Sequence, residues 1–436
     1  MKKSLLLAFF VSISISIQAQ HIKFEEYNLD NGLHVILHKD NSAPVVAVSI
    51  SYHVGSKNED STRTGFAHFF EHLLFEGSDN IARGEYFKYV EKNGGQNNAN
   101  TNIDRTYYYE VFPSNKLEIG LWLESERMMH AKIDTIGVNT QREVVKEEKR
   151  LNYDNVAYRS FLGETAKRMF KKHPYRWTTI GSMDHLNEAQ LNEFMEFYHT
   201  YYVPNNAVLT IAGDIDLAQT KKWVKDYFGP IAKGTKKMNR PNIVEPLIAA
   251  EIVDTIHDAN VQIPAVFVTY RTPKQTDKDA YVISFINDIL SNGASSRIHK
   301  QIVEKDQLAM QSGSFVMGGE DYGRITFYGL LAQEKSMDNL LAAIDKEIDK
   351  MQTSLITGKE YEKEMNQLEL GFVSKNRTMQ GVSESLSDYY LFFHNTNLIN
   401  TEINKYRGVT KQDIMRVAKK YLNKNNRVIL FYYPKK

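Results

Sequence analysis

The stretch that determines how this 436-residue sequence is interpreted reads Gly65-Phe66-Ala67-His68-Phe69-Phe70-Glu71-His72-Leu73-Leu74-Phe75. Its apolar spacing and lack of proline predict a helix over about residues 65–75. On a helix, His68 and His72 are four positions apart, so both imidazoles project from one face, one turn from each other. That spacing allows two neutral ring nitrogens to bind one tetrahedral metal ion, with bonds of about 2.0–2.1 Å. Glu71 lies on a neighbouring line of the helix, beside the ion but outside the ligand pair.

The rest of this helix is apolar on every side, which predicts that it is buried. Two imidazoles and a carboxylate are costly to bury unless they are paired with each other or bind a metal. The alternative is a pair of core histidines that hydrogen-bond a core carboxylate. The combination of His68, Glu71 and His72 at this spacing favours the metal site.

A catalytic metal site of this kind needs a third protein ligand and one open position for water. The sequence contains no cysteine, which excludes disulfides, thiolate ligands and a cysteine nucleophile. The best source of the third ligand is the acidic helical segment of residues 141–148. Periodicity alone leaves Glu143, Glu147 and Glu148 as alternatives.

The whole sequence predicts two copies of one α+β domain of similar size. Both halves end alike, with a helix, an aromatic residue, an Asn-containing turn and a closing strand, over residues 191–211 and again over residues 411–431. A polar segment in which apolar periodicity lapses separates the halves. We predict an N-terminal domain of residues 21–231, a linker of residues 232–246 and a homologous C-terminal domain of residues 247–436. Each is expected to contain a mixed or antiparallel sheet packed with helices.

The N-terminus has the features of a secretory signal peptide. Lys2 and Lys3 precede an apolar run from Leu5 to Ile17, and Ala19 supplies the small residue of a cleavage site. The run is shorter than the roughly 20 residues that span a bilayer, which argues against the alternative of a short membrane anchor. We predict that residues 1–20 are removed and that the mature chain is periplasmic or secreted, with no transmembrane span.

The net charge narrows the range of partners. The 54 basic and 53 acidic residues nearly cancel. This balance gives no electrostatic reason to expect a nucleic-acid partner.

The histidine-bearing helix resembles the inverted zinc motif of the pitrilysin/insulinase peptidases, a family that includes mitochondrial processing peptidase. The resemblance covers essentially the whole mature chain. It includes residues 29–33, 55–56, 65–77, 98–101, 144–148 and 201–214. It implies zinc as the cofactor and a chain of two homologous α+β domains that forms half of a clamshell.

The same resemblance assigns roles to individual residues. The family pattern places the third ligand 76 positions after the second histidine, which is Glu148. The resemblance therefore implies that His68, His72 and Glu148 bind zinc and that Glu71 is the general base for the attacking water.

For substrate binding, the resemblance points to one short segment. It implies that Asn98 and Ala99 lie in an edge strand that pairs with an extended peptide. Without the resemblance, this polar segment after two glycines is more typical of a loop.

Two features depart from the family pattern. Gln141 stands where many members carry a second glutamate, and an amide cannot transfer protons. In active members an Arg and a Tyr of the second domain bind substrate near the zinc, but Val303 and Met310 stand at these positions. The sequence therefore lacks half of the expected reaction centre.

We hypothesise that this chain is the catalytic, zinc-bearing subunit of a metalloendopeptidase that cleaves peptides or unfolded segments. A homologous partner subunit would supply the Arg and Tyr in a heterodimer, with a homodimer as the other possibility. The alternative function is a non-catalytic scaffold or binding subunit with a vestigial zinc site.

Overall fold

Each half of the chain contains one mixed β-sheet, and the computed structural model describes residues 21–435. The first sheet contains β1 Glu25–Asn28, β2 His34–Lys39, β3 Val45–Tyr52, β4 Gln96–Thr101, β5 Thr106–Pro113 and β6 Ala207–Gly213, in the order β1-β2-β6-β3-β5-β4. The second contains β7 Ile252–Asp258, β8 Ala265–Thr272, β9 Ala309–Met317, β10 Gly323–Leu331 and β11 Arg427–Pro434, in the order β7-β11-β8-β10-β9.

The two sheets share one topology. In each, a central strand from the end of its half runs parallel to one neighbour, as β6 does to β2 and β11 does to β7. The other pairings are antiparallel. This repetition confirms the predicted α+β fold with two homologous halves.

The helices follow the same division. The first half contains α1 Phe66–Leu73, α2 Tyr86–Lys92, α3 Leu117–Met129, α4 Thr135–Lys149, α5 Phe161–Met169, α6 Met183–Glu188, α7 Leu191–Tyr201 and α8 Leu217–Phe228. The second half contains α9 Lys278–Ser291, α10 Met337–Thr353, α11 Gly358–Lys375, α12 Met379–Phe393, α13 Leu398–Thr401, α14 Ile403–Arg407 and α15 Lys411–Tyr421. No helix or strand lies between Phe228 and Ile252. Residues 232–246 remain our proposed linker.

The halves are joined because each sheet is covered on one face by a helix of the other half. Helix α12 packs against β3 and β6, where Val382 and Leu386 meet Ile36 and Val208. In return, α5 packs against β8 and β11 of the second sheet. Burial of these apolar faces makes the two halves one unit rather than two separate domains on a tether.

Charged groups reinforce this junction. The guanidinium of Arg105, at the end of the β4–β5 turn, forms ion pairs with Glu384 and Asp388 of α12. The ammonium of Lys57 lies 3.1 Å from Asp104 and 3.2 Å from Asp321 of the second half. The fold therefore fixes the end of β4 against the second half.

Candidate metal centre

Helix α1 begins in a backbone conformation that requires glycine. Gly65 has a φ of +101°, and a Cβ at this position would lie 2.9 Å from the carbonyl oxygen of Ile180. The first turn of the helix is then capped by a distant side chain. The side-chain oxygens of Glu59, whose pKa burial raises to about 8, accept hydrogen bonds from the backbone N–H groups of Gly65 and Ala67, both at 2.9 Å. The entry of the helix is thus fixed by two independent constraints.

The apolar side chains of α1 are buried as the sequence predicts. Phe66, Phe69 and Phe70 pack against aromatic residues of α7. The hydroxyl of Tyr108 on β5 donates to the carbonyl of Phe70 at 2.8 Å. Within this buried helix His68 is 9% exposed, whereas Glu71 and His72 are half-buried. The polar residues His68, Glu71 and His72 therefore lie at the edge of the core, and one side of this group is open to solvent.

Helix α4 brings Glu148 to both histidines. Its Oε2 lies 3.5 Å from Nε2 of His68 and 3.1 Å from Nε2 of His72. The three atoms offered by these residues all lie within 4.8 Å of one another. Of the three acidic residues that the sequence left open, only Glu148 takes part, because Glu143 and Glu147 are exposed and pair with Lys146 and Arg150.

These distances match what one ion requires. Two ligands on a tetrahedral zinc ion with bonds of about 2.1 Å are separated by about 3.4 Å. Moreover, Oε2 of Glu148 is buried and lacks a hydrogen bond of good geometry to any described residue, despite its two close nitrogens. Two imidazole nitrogens and one carboxylate oxygen form a ligand set that zinc accepts. The residues present therefore fit a metal ion.

The protonation state of Glu148 suits a metal ligand. The neighbouring imidazoles, first His68 and then His72, hold the pKa of the Glu148 carboxyl well below its usual range. The group is therefore a carboxylate at neutral pH. A ligand must be deprotonated to bind a metal ion, and this one needs no proton loss to do so.

A polar network that the sequence did not reveal joins α4 to the end of α1. The amide nitrogen of Gln141 donates to Oε1 of the buried Glu76 at 2.6 Å. The other oxygen of Glu76 pairs with Arg83, whose guanidinium also donates to Asp134, the N-cap residue of α4. Gln141 thus orients the helix that carries Glu148, and its amide donates where a glutamate could not.

We expect Gln141→Glu to destabilise the protein by about 1–3 kcal/mol at neutral pH, because it replaces a donor to Glu76 with a second carboxylate. Repulsion raises the pKa of the introduced carboxyl in the folded state. The loss should therefore be absent below about pH 4 and grow as the pH rises. Urea unfolding at pH 5 and pH 8 measures this difference. Equal stability of variant and wild type at pH 8 would show that the Gln141–Glu76 contact has no role in positioning α4.

A second prediction concerns the cap of α1. Glu59→Ala leaves two buried N–H groups of the helix without an acceptor, and each such group costs about 1–3 kcal/mol. Glu59→Gln retains one acceptor, so we expect about half of that loss. Thermal unfolding of the two variants at pH 7 should give the order wild type, Gln variant, Ala variant. An alanine variant as stable as the wild type would contradict the assigned cap.

The predicted substrate-binding residues lie on a free sheet edge. Asn98 and Ala99 belong to β4, which pairs with β5 on one side and is the last strand of the first sheet. Helix α1 packs against this strand. Asn98 is exposed, and its Oδ1 accepts a hydrogen bond from the N–H of Ala99 at 2.8 Å. The segment is therefore a strand rather than a polar loop, beside the helix that carries the histidines.

The positions that match the family's substrate-binding Arg and Tyr carry Val303 and Met310 in the second half. Val303 is half-buried in the turn of π-helix at His299–Lys305. Met310 lies on β9, the edge strand of the second sheet, and is 62% exposed. Neither side chain carries a charge or a hydrogen-bond donor.

Two models of one peptidase family match the chain. Residues 34–179 match the model described as Insulinase (Peptidase family M16), and residues 188–368 match the model described as Peptidase M16 inactive domain. Together they span about three quarters of the sequence. All of the candidate ligands and Glu71 fall in the first match.

Curated relatives carry zinc protease names. The zinc protease PqqE of Helicobacter pylori (strain ATCC 700392 / 26695) is 27% identical over 428 residues, which is 97% of this chain and 96% of the relative. The uncharacterized zinc protease YmxG of Bacillus subtilis (strain 168) is 23% identical over 349 residues, with coverage of 79% and 82%. The likeness therefore extends over nearly the full length of the first relative.

Solved structures confirm the fold. A protease from Helicobacter pylori superimposes with a TM-score of 0.89 at 27% identity, covering 95% of this chain and 100% of that one. The first half of the periplasmic protease PqqL from Escherichia coli gives 0.77 at 18% identity, with coverage of 95% and 92%. Pitrilysin gives 0.78 at 18% identity, and the match covers 95% of this chain but 45% of pitrilysin. At 18% identity, the similarities to PqqL and pitrilysin support the fold only.

The predicted signal peptide lies outside the described residues. Within residues 21–435, none of the helices combines the length and apolar character needed to cross a bilayer.

Proposed function

Because the chain belongs to the insulinase family of metallopeptidases (peptidase family M16), we propose that it is a zinc-dependent endopeptidase that cleaves peptides or unfolded segments. The observation that carries this proposal is the convergence of His68, His72 and Glu148 at distances suited to one ion, with Glu71 on the same helix. A scaffold has no need to bury such a group at the edge of its core. Val303 and Met310 agree with the scaffold alternative, but the intact set of His68, Glu71, His72 and Glu148 opposes it.

In this proposal His68, His72 and Glu148 hold the zinc ion, which when bound supplies a Lewis acid that polarises the peptide carbonyl and acidifies water. Glu71 accepts the proton of the attacking water and then delivers it to the leaving amine. Its position supports this role, since it is half-buried, precedes His72 directly and takes no part in the ion pairs found among residues 21–435. Its carboxylate is therefore available to substrate.

The free edge of β4 provides the means to hold a peptide in place. An extended substrate that adds a strand beyond Asn98 and Ala99 gains backbone hydrogen bonds along a line next to α1. Pairing of this kind needs an unfolded segment, because a folded protein seldom exposes an unpaired strand. This requirement supports peptides and unfolded segments as the substrate class.

We propose further that the active form contains a second, homologous chain. Val303 and Met310 cannot stabilise negative charge on the scissile carbonyl, and the matched second half carries the description of an inactive domain. A partner that supplies an arginine and a tyrosine would complete the site across a clamshell interface. A heterodimer is preferred because a second copy of this chain would bring the same valine and methionine.

Mixing experiments test this assembly. The purified mature chain alone, a homologous chain with the Arg and Tyr alone, and the equimolar mixture are each assayed with a quenched fluorescent peptide. We expect cleavage only with the mixture, together with a complex of twice the monomer mass in size-exclusion chromatography with light scattering. Full activity of this chain by itself would contradict the two-chain proposal while supporting the peptidase.

Export of the chain also remains a proposal. Residues 1–20 have the pattern of a signal peptide, and a structural relative is named as a periplasmic protease. Cell fractionation with N-terminal sequencing of the mature protein tests it. We expect a periplasmic or secreted species that begins near residue 21.

A further inference from the structure

A pocket of about 280 Å³ lies between the two halves, where β4 ends. Thr101, the last residue of β4, lines one side of it, and Gln275 and Arg324 of the second half line the other. Arg159 also lines the pocket, from the segment just before α5. The pocket is therefore built by both halves at the end of the strand that we propose binds substrate.

Its arginines lack anionic partners. Arg324 on β10 is the direct cross-strand neighbour of Arg271 on β8, and both face the first half. No carboxylate of residues 21–435 lies within 4.0 Å of Arg159, Arg271 or Arg324. Burial lowers the pKa of Arg324 to about 10, so it remains a cation at neutral pH. Two like charges placed opposite each other destabilise a sheet. Arg271 donates to the carbonyl of Pro246 and Arg324 to the sulfur of Met317, but neither of these acceptors neutralises a positive charge.

Two further polar groups in the pocket wall also lack partners. The hydroxyl of Thr101 and the amide nitrogen of Gln275 are buried, and neither has a hydrogen-bond partner among the described residues. Buried donors without partners are rare in native proteins and call for an explanation. Together with the two guanidinium groups that line the pocket, they form a set of donors without an anionic acceptor within 4.0 Å among the described residues.

The one carboxylate in the wall is already neutralised. Asp104 accepts hydrogen bonds from the hydroxyl of Tyr175 at 2.6 and 2.8 Å and from the N–H of Glu320 at 2.8 Å. The ammonium of Lys57 lies 3.1 Å from it. It therefore does not compensate the arginines, and the pocket carries an excess of positive charge.

The pocket shares wall residues with a larger cleft that extends toward the start of α1 and the end of α4. The cleft has a volume of about 880 Å³ and shares Arg159 and Trp177 with the pocket. It extends to Thr64 and Lys149, the chain neighbours of Gly65 at the start of α1 and of Glu148. Leu162, Trp177 and Phe392 add apolar surface to the pocket. Its wall thus suits a carboxylate attached to a partly apolar chain.

We propose that this pocket, lined by Arg159, Arg324, Thr101 and Gln275, binds a carboxylate of the peptide substrate. The carboxylate comes either from an aspartate or glutamate side chain or from a free C-terminus. The inference rests on the proposed peptidase function for its ligand, because the pocket lies at the end of β4, the strand that packs against α1 and that we propose binds the peptide. If the pocket binds a carboxylate, the preferred substrates are peptides that carry one at a fixed distance from the cleaved bond.

Binding measurements test the pocket without relying on cleavage. The zinc-loaded Glu71→Gln protein is titrated with dye-labelled decapeptides of one neutral sequence, measured by fluorescence anisotropy. One peptide has an amidated C-terminus, one has a free C-terminus, and the others carry a single Glu for Gln at successive positions of the amidated form. The peptide that binds most tightly identifies the source of the carboxylate.

A charge-assisted contact contributes about 1.5–3 kcal/mol, so we expect the preferred peptide to bind about 10–150-fold more tightly than the neutral one. Adding Arg324→Gln should reduce this ratio to within about twofold. Adding Arg377→Gln, which removes an exposed positive charge outside the pocket, should leave the ratio unchanged. Equal binding of all peptides, no binding of any peptide, or a ratio that survives Arg324→Gln would overturn the proposal.

The melting temperature of Arg324→Gln distinguishes a ligand-binding role of Arg324 from a structural role. Since Arg324→Gln removes the repulsion with Arg271, we expect its melting temperature to equal or exceed that of the wild type. A fall of several degrees would assign Arg324 to the fold instead. If carboxylate-selective binding is retained but the wild type mixed with its homologous partner chain cleaves no peptide, the proposed peptidase function fails and the pocket stands.

Discussion

Replacing Glu71 by glutamine should abolish peptide cleavage and leave the metal in place. The amide has the size of the carboxylate but cannot accept a proton from water, and general base catalysis contributes about 10²–10⁴-fold to rate. We therefore expect kcat to fall by at least about 100-fold with the zinc content unchanged. Initial rates on a quenched fluorescent peptide, measured with the homologous partner chain present, and zinc analysis of this chain measure both quantities.

The matched control for this variant is Glu143→Gln. Glu143 is an exposed acidic residue that pairs with Lys146 on the surface of α4, so the same chemical change there should leave the rate within about twofold of the wild type. Unchanged cleavage by Glu71→Gln would refute its role as the base. Loss of zinc together with activity would show instead that Glu71 is part of the metal site.

Replacing Glu148 by glutamine should remove the metal as well as the activity. The change takes away the one acidic member of the His68, His72 and Glu148 group found among residues 21–435, and loss of even an outer partner of a ligand typically weakens metal binding by about 10–100-fold. We expect a loss of zinc affinity of at least about 100-fold, measured by competition with a chromophoric chelator. Cleavage should fall in parallel at limiting zinc.

Glu147→Gln is the control next to it in the sequence. Glu147 points away from the histidines and pairs with Arg150 at the surface, so its substitution should leave both affinity and rate unchanged. If Glu147→Gln rather than Glu148→Gln lost the metal, the helix would be rotated relative to the structure. If neither variant did, the third ligand would lie elsewhere.

Much of the fold follows from patterns that the sequence displays. The spacing of His68 and His72 on an apolar helix is visible without structure, because four-residue spacing and burial both follow from helix geometry. The repeated ending of the two halves likewise predicts the duplicated sheets. The β-rich composition of β3 and the alternating pattern of β10 are likewise typical of strands.

Other parts depend on contacts that no local pattern reveals. The third ligand was ambiguous because Glu143, Glu147 and Glu148 all lie on one helix. The structure shows that Val145 is buried and Val144 is 44% exposed, which turns the face with Val145 and Glu148 toward α1. A single sequence does not distinguish these two valines.

The strand conformation of β4 and the capping of α1 by Glu59 could not be predicted from local sequence patterns, for a different reason. The segment Gln96–Thr101 contains almost no apolar residue, so its strand conformation comes from pairing with β5 rather than from its own propensity. Glu59 lies six residues before Gly65 and outside the capping positions that sequence rules cover. The exchange of α5 and α12 between the halves is equally a matter of tertiary packing.

In the proposed function, His68, His72 and Glu148 jointly bind one zinc ion. The most direct measurement is the metal content of the purified mature chain by inductively coupled plasma mass spectrometry, compared with that of His72→Ala. We predict one zinc per chain in the wild type after dialysis against trace zinc, and none in the variant. Absence of zinc from the wild type, or equal zinc in both proteins, would contradict it.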